Sequence, residues 1–229
     1  MGRDLRFTVY DFIGYLLPGA PGVVAVVLLG WAVSGATSPL SLPIPSLEGW
    51  IAIGLASYLV GHAVQALANL IVRVVGLDEV GGLGTADGPV PLKTYGKALD
   101  QVTELTGIEP SAPADLYAVC DEWVAQHGET ADRELYQYRE GFYRGFAVSL
   151  FVLAIALAVV RLRGGSLAAI GTMTPALNNV VCWSFVVLLV LTTALFSFRY
   201  RRFLRYRVRS AVIAFLVLAA APRHERSKE

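Results

Sequence analysis

The residues best suited to chemistry lie together near the C-terminus. Phe198 to Arg209 reads F-R-Y-R-R-F-L-R-Y-R-V-R, six arginines interleaved with six Phe, Tyr, Leu or Val. At about 100° per residue in a helix, Arg201, Arg202, Arg205 and Arg209 fall within roughly a quarter to a third of the circumference. Planar guanidiniums in such a stripe suit bidentate contact with phosphates, and Tyr206, Tyr200 or Phe203 could stack on a planar base. Three uses stay open on these residues alone. The stripe binds an anionic ligand, it docks on an acidic surface of the same or a neighbouring chain, or it attaches to anionic headgroups, where each basic residue near the surface contributes about 1 kcal/mol.

A second set lies inside an apolar stretch. Tyr58, His62, Gln65 and Asn69 are spaced 4, 3 and 4, so they share one helical face. Such side chains are costly in hydrocarbon and face protein or water. The stripe therefore either makes interhelical hydrogen bonds in a packed bundle or lines a polar pathway between subunits. Asp11, at the edge of the first apolar run, is either a helix N-cap or part of a cation vestibule.

No catalytic set assembles. Asp121 and Glu122 are adjacent and point apart on a helix. Cys120 and His127 are seven residues apart, roughly 10 Å of helix, whereas a base that activates a thiol must reach about 3 Å. Glu129, Asp132 and Glu134 cluster where a helix start favours acids. The two cysteines, Cys120 and Cys182, form no CxxC or Cys/His ligand spacing. The chain reads as a non-enzyme with no metal and no cofactor.

The elements that carry these residues belong to a membrane protein. Mean hydropathy is +0.56 and 16% of residues are charged, against about 25% in soluble domains. Four apolar stretches are candidates for spanning: Phe12 to Val33, Trp50 to Val75, Phe146 to Val160 and Val180 to Ser197. Gly14, Pro18, Gly19, Pro21 and Gly22 should break or kink the first in its opening half. Ser34 to Gly49 and Gly164 to Asn179 read as connectors on one side. Between spans two and three the chain is polar and helical in pattern, with helices expected over Leu92 to Thr106, over Ala112 to His127, and from near Thr130 into the third span. Ser210 to Ala221 is apolar but too short for an ordinary span, and its place is open between the membrane and a neighbouring surface.

The expected fold is an all-α polytopic membrane protein with four transmembrane helices. Residues 1–75 and 146–197 form two transmembrane hairpins, 76–145 a helical cytoplasmic segment, and 198–229 a basic helix and tail extending span four. Seventeen of the nineteen basic residues fall on one side of this layout, and Arg161 and Arg163 alone fall on the other. The excess of basic residues places both termini and the 91–141 segment in the cytoplasm. There, 73–144 carries a net charge of −7 and 198–229 a net charge of +7.

Short motifs support a resemblance. The chain has D-F-x-G-Y-L-x-P-G at Asp11, Phe12, Gly14, Tyr15, Leu16, Pro18 and Gly19; Y-R-x-F at Tyr143, Arg144 and Phe146; and F-x-Y-R-R-F at Phe198, Tyr200, Arg201, Arg202 and Phe203. In these it resembles small bacterial four-span inner-membrane proteins used as membrane effectors in nucleotide-signalled anti-phage defence. The resemblance implies a homo-oligomer in the bacterial inner membrane. It also implies a nucleotide or short oligonucleotide, made by a partner enzyme, as the signal that opens an ion pathway. A non-conducting scaffold that recruits a soluble partner, or a small transporter, are the alternatives.

Overall fold

The computed structural model describes residues 12–34, 46–75, 82–127, 131–163 and 175–220. Asp11, the basic leader and the charged tail lie outside the described residues. A π-helical turn, Phe12–Leu16, leads into α1 (Leu17–Val33), followed by α2 (Leu47–Val75), α3 (Leu92–Thr106), α4 (Pro113–His127), α5 (Ala131–Leu162) and α6 (Pro175–Ala220). No strand occurs among the described residues. Among the described residues, four segments are long and apolar enough to cross a membrane: Gly14–Val33, Leu47–Val75, Leu135–Leu162 and Leu177–Ala220. The chain is thus an all-helical, multi-pass membrane protein.

Two boundaries differ from the sequence expectation. The connector before span four ends earlier, because α6 begins at Pro175, where proline's fixed φ suits a first helical turn. Asn178 and Asn179, which the sequence places in the connector, therefore lie within the helix. The third apolar segment starts at Leu135 rather than Phe146, within a helix, α5, that runs unbroken for 32 residues from Ala131 as the sequence pattern expects.

The chain divides into two compact units, residues 1–71 with 141–200 and residues 72–140 with 201–229. In the first unit the helices approach unusually closely. A Cβ on Gly19 would overlap the Ser57 carbonyl oxygen, and one on Gly61 would overlap the Tyr15 carbonyl oxygen. Small residues at such crossings permit backbone-to-backbone contact, the usual way membrane helices associate when lipid supplies no hydrophobic drive. Further along, Ala25, Leu28 and Ala32 of α1 pack with Ala156 and Val160 of α5. Phe142, Tyr143, Phe146 and Phe196 form an aromatic cluster, with Phe146 stacked on Phe196 at 5.1 Å. Arg163 Nη1 donates to the Ala32 carbonyl at 2.8 Å, satisfying one of the carbonyls left open where α1 ends. Arg161 Nε donates to Asn179 Oδ1 at 2.8 Å.

The second unit has local signals that worked as chemistry requires. Gly107 ends α3 in the left-handed region at φ 68°, and its N–H donates to the Thr103 carbonyl. At the start of α4, Asp115 accepts from the Ala112 N–H at 3.0 Å and from Ser111 Oγ at 2.6 Å, the half of a capping box in which the N3 acid reaches back to the helix start. The unit buries Ala98, Val102, Leu116, Cys120 and Val124 from α3 and α4. Leu204, Val208, Ala211, Val212 and Phe215 of α6 are buried as well. Those five recur at helical spacing, so one face of the 210–220 stretch forms part of this unit's own core.

Candidate functional site

The C-terminal part of α6 sorts its arginines by face. Its apolar row is buried, and a neighbouring arc carries Arg201, Arg202, Arg205 and Arg209, all exposed. The sequence stripe is therefore a single outward-facing array. Tyr206 is also exposed, and Arg202 Nη2 donates to its hydroxyl at 3.2 Å with the guanidinium 5.5 Å from its ring centre. This contact fixes the Arg202 side chain along the helix. Two residues of α5 that the sequence reading passed over extend the array. The Tyr136 ring lies 6.3 Å from Tyr206, and the Arg139 guanidinium lies 5.5 Å from the Phe203 ring. Their i, i+3 spacing was the available signal.

Arg207 behaves differently. It faces inward, where Nη1 meets Glu140 Oε2 at 2.6 Å, and its guanidinium lies 5.7 Å from the Tyr117 ring. Glu140 is 6% exposed at its side chain. A carboxylate buried to that degree needs a cation, and the opposite charges of the 73–144 and 198–229 segments meet here. The docking reading of the basic run thus holds for Arg207. Burial raises the Tyr117 hydroxyl pKa even though the Arg207 charge pulls it down.

The polar set in span two separates into two environments. Gln65 is buried and uses both amide hydrogens, donating to the Gly14 carbonyl at 2.9 Å and the Gly141 carbonyl at 2.8 Å. The first of these has a specific cause. Pro18 has no N–H to return to the residue four positions earlier, which is Gly14, and Gln65 supplies the missing donor. Gly145 leaves room for that amide: a Cβ there would overlap Gln65 Nε2. Ser149 Oγ donates to the Pro18 carbonyl, adding a second side-chain bond at the same break. Tyr58 and His62 form an aromatic cluster with Tyr15, whose ring stacks on His62 at 4.0 Å. His62 and Asn69 are exposed. Gln65 is therefore a structural tie rather than the lining of a pathway, because its donors are committed to the backbone.

Cys120 and His127 form no reactive pair. Cys120 is buried, and burial, with the Asp121 charge adding, pushes its thiol up to about 12. His127 stacks on Trp123 at 4.5 Å and its Nδ1 lies 3.0 Å from the Trp123 carbonyl. Among the described residues no group of three or more His, Cys, Asp or Glu is placed to hold a metal. Comparison with protein-family models, curated proteins and solved structures finds no match.

Proposed function

We propose that the protein is an oligomeric inner-membrane effector that conducts ions when a cytoplasmic anion binds the exposed arginines of α6. The observation that carries this reading is the array itself: Arg201, Arg202, Arg205 and Arg209 stay exposed while Arg207, on the same helix, is used for docking. The Arg207–Glu140 pair leaves outside it an exposed arc of guanidiniums beside exposed Tyr206. A nucleotide or short oligonucleotide matches this chemistry, with phosphates on the guanidiniums and a base against Tyr206 or Tyr136. The helix that carries the array begins as span four, so a ligand that prefers one of two arrangements of α6 would bias the membrane part directly. Neither a catalytic step nor a cofactor enters this scheme, and a defence role follows from the resemblance of the short motifs.

Fluorescence anisotropy with labelled nucleotides and short oligonucleotides tests the site. Arg205→Ala combined with Arg209→Ala should weaken binding severalfold or more; unchanged binding would place the ligand elsewhere. A second reading, a non-conducting scaffold, draws on Gln65. With both of its amide hydrogens used in packing, the polar stripe offers less to a water-filled path within one copy. A stable complex without ion flux under any ligand would favour the scaffold.

A further inference from the structure

Helix α2 carries two heptad faces, and its own chain uses one of them. Ser57, Gly61, Val64 and Ala68 are buried against the rest of their unit. Leu55, Leu59, His62, Ala66 and Asn69, spaced 4, 3, 4 and 3, are all exposed. We infer that this second face is a parallel seam between copies of the chain, with Asn69 and His62 as its polar contacts inside the membrane.

The argument rests on where the polar groups sit. His62 is at the middle of a 29-residue helix and Asn69 lies two turns further on. An imidazole and a primary amide held against lipid are costly, so such groups face protein or water. Among the described residues neither finds a hydrogen-bond partner; the His62 ring is stacked on Tyr15 and meets Tyr58 edge-on. A second copy satisfies them. Copies in one membrane share an orientation, so like positions meet across a parallel seam. An amide carries both donor and acceptor and is complementary to its own image. A neutral imidazole likewise offers one donor and one acceptor. The 4-3-4-3 spacing is the period at which helices interlock over a long contact, and a buried amide at one position fixes register. Lipid alone satisfies Leu55 and Leu59 but not the two polar residues further along the same face.

This seam rests on the oligomeric part of the proposed function, and its test needs no ligand and no flux. In a chain with Cys120→Ala and Cys182→Ala, single cysteines are placed at Leu59, Ala66 or Asn69, or at the exposed Leu67 or Val74, which lie well round the helix from the seam. Oxidation in native membranes should give disulfide dimers at the first three positions and not at the last two. Equal cross-linking at all five, or none at any, overturns the seam. Asn69→Leu places an apolar side chain in an apolar span and should fold. It should raise the dimer dissociation constant in bilayers on the order of three- to thirtyfold; an unchanged or lower constant overturns the role of the amide. Cross-linking without ion flux would retire the effector reading and leave the seam in place. Flux from a protein that does not cross-link here would do the reverse.

Discussion

Replacing Gln65 by leucine should expose how the broken first span is held. The substitution keeps the approximate length of the side chain and removes its two donated hydrogen bonds. The Gly141 carbonyl retains the N–H of Gly145, four residues on in α5, and loses one bond of about 0.5–1.5 kcal/mol. The Gly14 carbonyl fares worse, because position 18 is proline and no backbone donor replaces the amide; a buried acceptor left unsatisfied costs about 1–3 kcal/mol. Together these give a loss of about 2–4 kcal/mol, read as the shift in unfolding free energy of the purified protein in mixed micelles. The cause is separable by a second substitution. Pro18→Ala restores an N–H to the Gly14 carbonyl, so Gln65→Leu should cost at least about 1 kcal/mol less in that background. If Gln65→Leu costs nothing, or costs the same with and without Pro18, the tie between amide and proline break is wrong.

Other consequences follow from the second unit. Glu140→Ala strands the Arg207 guanidinium and should destabilise by about 3 kcal/mol, whereas Glu140→Leu with Arg207→Leu together should come close to neutral; denaturant titration of the three chains decides it. Cys120 gives a pH signature. Its thiol stays protonated in the fold up to about 12 but ionises near its ordinary value of 9.0 once unfolded, so stability is intact below pH 9 and falls by about 1.4 kcal/mol per pH unit above it. Cys120→Ala should lack that increment when the two proteins are compared at pH 8 and pH 10. Oligonucleotide binding through four exposed arginines should have a log–log salt slope of about −3, a loss of roughly fiftyfold in affinity between 50 and 200 mM salt; a slope near zero would show that phosphates are not the contact.

Much of the helix layout was legible because its signals are local. Runs of apolar residues long enough to span, Gly107 as a C-cap, and Ser111 with Asp115 at a helix start all act within a few residues of the element they define. The exposed arginine arc was equally readable, since helical periodicity alone places Arg201, Arg205 and Arg209 on one side. What the sequence could not separate was the polar set of span two. Tyr58, His62, Gln65 and Asn69 occupy a narrow arc of roughly 60° by periodicity, and the border between packed and outward faces runs through that arc. Gln65 falls just inside it and His62 and Asn69 just outside. That border is set by residues far away in the chain, among them Pro18, Gly141 and Gly145, and no local pattern in α2 encodes it. The fate of 210–220 was hidden for the same reason. Twelve apolar residues fit a membrane surface, a neighbour or a core equally well until the partners on α3 and α4 are known.

Ion flux from proteoliposomes holds the whole proposal to account. Vesicles loaded with a fluorescent ion reporter would be challenged with nucleotides and short oligonucleotides on the face that carries the α6 arginines. The wild-type chain should release ions with at least one ligand. The variant with Arg201, Arg202, Arg205 and Arg209 all replaced by alanine should stay tight while inserting and assembling normally. Vesicles that remain tight under every anion, or that leak equally with the four arginines removed, would contradict an effector gated through this helix.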